Sequence, residues 1–185
     1  MQTALLLIDL QNDYFPGGKM ELEGSIEASL KAEHLLSHFR QERLPIVHVQ
    51  HLSTRSGATF FIPGTSGAEI HENLQPLEHE VVFQKHYPNS FRDTPLLKHL
   101  QQKEISRLVI SGMMTHMCVD ATTRAAFDYG FGCMVAHDAC ATRALVYQGT
   151  TIPARSVHLS FLAALQTVYA EVLAAEEILA RLRSE

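Results

Sequence analysis

The sequence predicts an α/β protein in which a mainly parallel sheet carries helices on both faces. Short apolar or β-rich runs alternate with helical stretches, and the links between them are short. The first run, ALLLIDL (Ala4 to Leu10), is continuously apolar, as is typical of strands that are buried on both faces. Together these features favour a parallel sheet. A length of 185 residues predicts a single domain, 1–185.

The first half of the chain predicts a helix, a second strand and a long loop. From Ser25 to about Arg43 the apolar residues recur at helical spacing, which predicts an amphipathic helix. The short β-rich stretch from Pro45 to His51 predicts the second strand. Residues 52–79, here called the lid segment, contain several Gly and Pro residues and no sustained period. A segment of this kind is usually a lid or a substrate loop.

The second half continues the alternation. Three further strands are predicted at Glu80–Lys85, Arg107–Met113 and Gly132–Asp138. Between the first two of these, Thr94 is a suitable N-cap and Pro95 suits the first helical position.

A helix is also predicted to start near Cys118 and to end with Gly130 as its C-cap. From Ala154 onward the sequence favours helix. A short strand between Thr167 and Leu173 is a second interpretation, and propensity alone leaves this choice open.

Composition excludes some classes of function and predicts the compartment. The net charge is −5 and no basic run is present, so a nucleic-acid or anionic-membrane surface is not expected. The apolar N-terminal run lacks a basic start and is interrupted at Asp9, which predicts a strand and not a signal peptide or a membrane span. The three cysteines, Cys118, Cys133 and Cys140, fit no disulfide or zinc pattern. A reducing, cytoplasmic location is therefore expected.

Three reactive side chains stand at predicted strand ends: Asp9, Lys85 and Cys118. Ligands of open parallel sheets bind at the carboxyl ends of the strands. A helix start and a neighbouring ammonium favour the thiolate, and a carboxylate can take the thiol proton. Each residue alone has an ordinary reading, as a buried small side chain, a turn cap or a solvent-facing amine. Spacing alone does not decide between a shared reactive site and three unrelated structural residues.

Four separated segments carry a resemblance to a known family. They are LLLIDLQNDYFPGG, VVFQKHYPNSFRDTPL, VISGMMTHMCVDATTRAAFDYGF and VAHDACAT. With them the chain resembles, over nearly its whole length, the isochorismatase-like cysteine hydrolases, which include nicotinamidases and N-carbamoyl amidohydrolases. The resemblance implies a three-layer αβα fold with a doubly wound, Rossmann-like sheet of six strands. It therefore supports the short strand between Thr167 and Leu173.

The resemblance also implies a site and a reaction. Asp9, Lys85 and Cys118 would form a catalytic triad, the Met113–Met114 peptide would be cis, and the N–H groups of Met114 and Cys118 would form the oxyanion hole. The implied activity is hydrolysis of a C–N bond in a small carboxamide or N-carbamoyl compound. Cys118 would form a thioester, Asp9 would act as general base and acid, and Lys85 would be the activating cation. No cofactor is expected.

Four side chains are candidates for substrate binding: Tyr14, Phe15, Phe60 and His116. The aromatic residues could wall the pocket, and Phe60 with its neighbour Phe61 could instead pack as a local cluster under the lid segment. His116 could contact the substrate or orient its loop, and the sequence does not rank these roles.

A metal site is not expected. Nicotinamidases of the family carry an Asp-x-His pair after the second strand, whereas here Gln50 stands where an acid would be. His51, His71 and His79 remain in this region, but without a carboxylate partner they are interpreted as surface or packing residues.

Two alternatives to an amidase remain. The same pocket could hydrolyse an ether, as isochorismatases proper do, or the protein could bind a ligand without turnover. The presence of Cys118 with both partners favours the amidase. The resemblance also implies a homodimer or a larger homo-oligomer with a small-molecule substrate, whose identity depends on the lid segment.

Overall fold

A computed structural model describes residues 2–184 and confirms the predicted architecture. The strands are β1 (Gln2–Ile8), β2 (Ile46–His51), β3 (Val81–Lys85), β4 (Ile105–Met113), β5 (Gly132–Ala141), β6 (Leu145–Tyr147), β7 (Thr150–Ile152) and β8 (Glu171–Leu173). Six of them form one parallel sheet in the order β3-β2-β1-β4-β5-β8. The predicted doubly wound sheet is therefore present.

Helices cover both faces of this sheet and create two separate cores. The helices are α1 (Ser25–Gln41), α2 (Leu96–Gln102), α3 (Asp120–Asp128), α4 (Ala154–Val168) and α5 (Ala175–Arg183). Side chains of α1 and α5 pack on one face, and side chains of α2, α3 and α4 pack on the other. Because successive side chains of a strand point to opposite faces, Leu5 and Leu7 join the first core while Leu6 and Ile8 join the second. This is the predicted three-layer αβα arrangement.

The C-terminal strand is real but shorter than the predicted stretch. Helix α4 extends to Val168, and only Glu171–Leu173 is a strand, which pairs with β5. Helical propensity therefore agrees with the structure up to Val168, whereas residues 171–173 form a strand because they pair with the open edge of the sheet.

The helix starts also differ slightly from the predictions. A single π-helical turn, Thr115–Val119, precedes α3, so Cys118 lies inside this turn and not at the first residue of the helix. Helix α2 begins one residue later than predicted, at Leu96, and the hydroxyl of Thr94 accepts a hydrogen bond from the Leu96 N–H at 3.3 Å.

The hairpin formed by β6 and β7 was not predicted. Its two central turn residues have positive φ values, 48° at Gln148 and 77° at Gly149, as a type I′ turn requires. Two residues of the hairpin, Val146 and Tyr147, are each 69% exposed, so the hairpin lacks the buried face that produces an alternation of apolar and polar residues. Gln-Gly is a weaker turn signal than Asn-Gly or Asp-Gly, which explains why the sequence did not reveal it.

The sheet order places a crevice between β1 and β4. From β1 the chain winds to one side through β2 and β3, and it then returns to place β4 on the other side of β1. The carboxyl ends of β1 and β4 thus lie at the point where ligands bind in such sheets. At this point Gly112 has φ +141°, and a Cβ there would lie 2.1 Å from the carbonyl oxygen of Ile8. Glycine therefore allows the two strands to approach closely.

The lid segment has only two short 3₁₀ turns, Ser66–Ala68 and Glu72–Leu74, which agrees with the absence of a sustained period in its sequence. Within residues 2–184, none of the helices combines the length and the apolar character needed to cross a membrane.

Candidate active site

Asp9, Lys85 and Cys118 lie together in the crevice, although they are far apart in sequence. They are 0%, 1% and 5% exposed. The ammonium of Lys85 donates to Asp9 Oδ2 at 2.7 Å and to Cys118 Sγ at 3.1 Å. Asp9 follows β1 directly and has φ 53°, in the left-handed region that Asp tolerates better than most residues. The geometry of these three side chains is that of one shared, buried cluster.

Lys85 reaches this cluster from a distant strand. It ends β3, which is two strands away from β1, a separation of about 9–10 Å. Its stem crosses the end of β2, where the Nζ atom lies 3.0 Å from His51 Nδ1, and it also donates to the Tyr87 carbonyl at 3.1 Å. The ammonium therefore has four acceptors around it.

The charges of the cluster determine which groups are ionised. Burial lowers the pKa of Lys85, but the negative charge of Asp9 and the hydrogen bonds to Asp9 and Cys118 outweigh it, so its pKa is raised and the amine is an ammonium. Burial raises the pKa of Cys118, the Asp9 charge raises it further, and the ammonium opposes both without compensating them. The expectation that the helix start and Lys85 hold a thiolate is therefore wrong for the resting site. The resting sulfur is a thiol that needs a base.

Asp9 has an oxygen available for this purpose. Its Oδ2 accepts from Lys85, whereas its buried Oδ1 has no hydrogen-bond partner among the described residues. A buried carboxylate oxygen without a donor is energetically costly, so Oδ1 is free to take a hydrogen bond from a group that enters the site.

The turn around Cys118 has the backbone geometry that the resemblance implied. The Met113–Met114 peptide is cis. The Met114 carbonyl accepts from the N–H groups of Met117 at 3.0 Å and Val119 at 3.3 Å, which are the two residues flanking Cys118.

Of the predicted substrate-binding aromatics, Tyr14 lies beside the cluster. Burial raises its pKa well above the usual value, and the charges of Cys118 and Asp9 act in the same direction. Its ring packs edge-on against Phe61 at 4.5 Å and lies 6.0 Å from Phe60.

The other two candidates make different contacts. Phe15 stacks on His71 at 3.7 Å, and this pair lines a side cavity of about 420 Å³ near the lid segment. His116 Nδ1 lies 2.5 Å from Thr142 Oγ1, and its ring contacts Phe161, so it joins the cysteine turn to the segment after β5. Substrate binding by Phe15, Phe60 and His116 stays a prediction.

The histidines that were considered as metal ligands do not converge. His71 is hydrogen-bonded to Asn73, and His79 lines a cavity at the amino ends of the strands. One ligand atom from each of Asp9, His51 and Cys118 does fall within 4.8 Å of the others. However, the Lys85 ammonium lies within 3.1 Å of all three atoms and thus supplies the positive charge at their centre.

Two side chains after β1 fix the surroundings of the cluster. The Gln11 amide, 0% exposed, accepts from the His51 N–H at 2.7 Å and donates to the carbonyls of His51 at 2.9 Å and Ala68 at 2.7 Å. The carboxylate of Asp13 accepts from the Phe61 N–H at 2.6 Å. Both residues therefore hold the lid segment against the site.

Two residues near the site were missed as site candidates. His51 was considered only as a metal ligand, although its place opposite Lys85 in the β2–β3 register makes it a neighbour of the ammonium. Arg143, which is exposed, follows the VAHDACAT segment, and its charge lowers the pKa of both Tyr14 and His116. No carboxylate within the described residues pairs with it.

The chain is similar to isochorismatase-family proteins over nearly its whole length. The isochorismatase domain model matches residues 3–176. The isochorismatase family protein YddQ of Bacillus subtilis is 51% identical over 179 residues, which are 97% of this chain and 99% of that protein. An isochorismatase hydrolase structure from Oleispira antarctica has 52% identity and a TM-score of 0.93, and the match covers 97% of this chain and 96% of that one.

More distant relatives have stated activities. A streptothricin hydrolase of Streptomyces noursei is 31% identical over 141 residues, which are 75% of this chain and 49% of that enzyme. From its matched domain and its nearly full-length relatives, the chain belongs to the isochorismatase-like cysteine hydrolase family and is a hydrolase.

Proposed function

We propose that this enzyme hydrolyses the C–N bond of a small carboxamide or N-carbamoyl compound through a thioester on Cys118. The observation that carries the proposal is the position of the Lys85 ammonium, 2.7 Å from Asp9 Oδ2 and 3.1 Å from Cys118 Sγ, in a buried crevice. Relatives named nicotinamidase/pyrazinamidase (Mycobacterium tuberculosis) and maleamate amidohydrolase (Pseudomonas putida), each 26% identical, support amide chemistry.

The first half of the reaction forms the thioester. Asp9 takes the thiol proton through its unpartnered Oδ1, and the Lys85 ammonium stabilises the thiolate that forms. The sulfur of Cys118 attacks the carbonyl carbon. When the C–N bond breaks, Asp9 returns the proton to the leaving nitrogen, which departs as ammonia or an amine.

The second half releases the acid. Asp9 removes a proton from a water molecule and the resulting hydroxide attacks the thioester carbon. The C–S bond then breaks, and Asp9 returns the proton to the leaving sulfur of Cys118. The carbonyl oxygen carries negative charge in both halves. The N–H groups of Met114 and Cys118 are proposed to bind it, which is consistent with the Met114 carbonyl taking its hydrogen bonds from Met117 and Val119.

Alkylation of the cysteines tests the proposal without knowledge of the substrate. Burial raises the pKa of Cys133 and Cys140 to about 12, and neither has a base beside it. Iodoacetamide near neutral pH should therefore modify Cys118 first, and Lys85→Met should remove this preference because the ammonium that lowers the pKa of Cys118 is lost. Equal reaction of all three cysteines would contradict an assisted nucleophile.

The unpaired charge of Arg143 favours amides that also carry an acidic group. Its guanidinium contacts only the Met20 sulfur, at 3.4 Å, among the hydrogen bonds of the described residues, so its charge is free to attract an anion. Maleamate, named in one relative, is such a compound.

Ammonia release from matched amides tests this preference. Maleamate and succinamate carry a carboxylate, whereas butyramide and nicotinamide do not. We expect the acidic amides to react faster, and Arg143→Met to remove the difference by raising KM. Arg183→Met is the control, because Arg183 is an exposed arginine in the last turn of α5. Faster turnover of the neutral amides would reject an anionic substrate.

A further inference from the structure

His51 lies next to the reacting groups, but none of the proposed steps uses it. It is the last residue of β2, and its Nδ1 atom is 3.0 Å from Lys85 Nζ and 4.0 Å from Asp9 Oδ2. Gln11 holds its backbone at both the N–H and the carbonyl. The imidazole is therefore fixed beside the ammonium by the fold and not by the ammonium alone.

The chemistry of Lys85 and His51 determines which of them donates the hydrogen bond between Nζ and Nδ1. An ammonium has three N–H donors and no acceptor, so Nδ1 must accept and cannot carry a proton. The ring is then neutral, with its proton on Nε2. Burial lowers the pKa of His51 to about 4, and the positive charge of Lys85 contributes to this against the opposing charge of Asp9. His51 is thus an acceptor at every pH near neutrality.

The ammonium has more acceptors than hydrogens. Asp9 Oδ2 at 2.7 Å and the Tyr87 carbonyl at 3.1 Å are fixed oxygens, and both suit a strong hydrogen bond. Cys118 Sγ at 3.1 Å and His51 Nδ1 at 3.0 Å remain for the third hydrogen. Only a rotation of the ammonium group is needed to move that hydrogen from one atom to the other.

The reaction changes the quality of one of these two acceptors. A thiolate is a charged and strong acceptor, whereas the sulfur of a thioester has no charge and is weak. When Cys118 becomes acylated, the third hydrogen of Lys85 would lose its partner in a site where an unpaired donor is costly. The His51 nitrogen is already within hydrogen-bond distance.

We propose that His51 is a positioning residue that takes over a hydrogen bond from Lys85 when Cys118 is acylated. The inference rests on the proposed thioester mechanism. It gives His51 a role in the second half of the reaction, when the ammonium must remain beside Asp9 and be ready to stabilise the thiolate that leaves. No atom is transferred to His51, and the proton stays on Lys85 throughout.

Nitrogen NMR of the histidine-labelled enzyme tests the exchange directly. The His51 resonances are assigned by their loss in His51→Asn. Alkylation of Cys118 with iodoacetamide converts the sulfur into an uncharged thioether, which represents the acylated state. We expect the Nδ1 resonance of His51 in the alkylated enzyme to lie upfield of a free imidazole nitrogen, because it accepts a hydrogen bond from Lys85, and we expect Lys85→Met to move it downfield. An unchanged resonance in Lys85→Met would overturn the inference.

Kinetics with p-nitrophenyl acetate supply the functional readout. The initial burst reports acylation, and the steady state reports hydrolysis of the thioester. His51→Leu should keep the burst and lower the steady-state rate about tenfold, the loss expected for one hydrogen bond to a charged group. His51→Asn keeps an acceptor at the Nδ1 position and should restore the rate. Equal ratios of burst to steady state in the wild type and both variants would reject the role of His51.

The two proposals can fail separately. If iodoacetamide does not modify Cys118 before the other cysteines, the thioester mechanism fails and the role of His51 fails with it. If Cys118 is modified but the His51 resonance does not move, only the inference about His51 is wrong.

Discussion

Glu80 makes the stability of this enzyme depend on pH in a way that can be calculated. Its side chain is 2% exposed at the start of β3, and it accepts two hydrogen bonds from Arg40, at 2.7 and 2.9 Å, one from His48 at 2.9 Å and one from the Leu77 N–H at 2.9 Å. Burial alone would raise the pKa of Glu80, but these donors outweigh it and lower the pKa from 4.5 to about 2.

The sign and size of the effect follow from this shift. A carboxylate whose pKa is lower in the folded state stabilises that state above the unfolded value of 4.5, and this stabilisation is lost as the pH falls toward about 2. A shift from 4.5 to about 2 corresponds to about 3 kcal/mol of unfolding free energy. Glu80→Gln should therefore cost about 3 kcal/mol at pH 7 and progressively less below pH 4.5.

Urea unfolding of the wild type and of Glu80→Gln between pH 7 and pH 3 measures this difference. The control is Glu78→Gln, because Glu78 is an exposed carboxylate in the same loop and should change stability by less than about 0.5 kcal/mol. If the difference between the wild type and Glu80→Gln is the same at both ends of this pH range, the paired carboxylate is not the source of the stability.

Three further predictions concern the crevice and its cover. Gly112→Ala should lower the free energy of unfolding, measured in urea, by about 3 kcal/mol, because the new Cβ would lie 2.1 Å from a β1 carbonyl oxygen. Gly132→Ala is the control and should lower it by about 1 kcal/mol or less, because the nearest atom there is 3.7 Å away. Asp13→Ala removes the acceptor that holds the lid segment, so trypsin should cleave this segment faster than in the wild type, with Asp13→Asn intermediate; equal cleavage rates would contradict the anchor. Lys85→Ala removes the ammonium from between three side chains that can bind a metal, so this variant should bind Zn²⁺ in equilibrium dialysis where the wild type binds none. If the variant gains no Zn²⁺ binding, the three side chains cannot close around an ion.

The positions of the triad could be predicted because they depend on local signals. Continuous apolar runs identify buried parallel strands, and polar residues that directly follow such runs must lie at the same edge of the sheet. Asp9 satisfies this rule, and Lys85 is the last residue of β3 and so reaches the same edge. The fold class, the six strands and the proximity of Asp9, Lys85 and Cys118 therefore follow from the sequence and the family resemblance together.

The remaining features depend on distances that a sequence does not contain. His51 is a neighbour of the ammonium only because β2 lies between β1 and β3 in register with Lys85. The raised pKa of Cys118 reflects complete burial, which opposes the local effect of the helix start. Arg143 is significant because no carboxylate among residues 2–184 pairs with it, and no sequence pattern shows such an absence.

The amide of Gln11 links three parts of the molecule that are distant in sequence: the turn after β1, the end of β2 and the lid segment at Ala68. A change of length between residues 53 and 60 leaves these three contacts in place. An insertion between residues 66 and 71 would pull on the strand end beside Lys85. The outer half of this cover is therefore free to change in length, while its inner half is tied to the sheet.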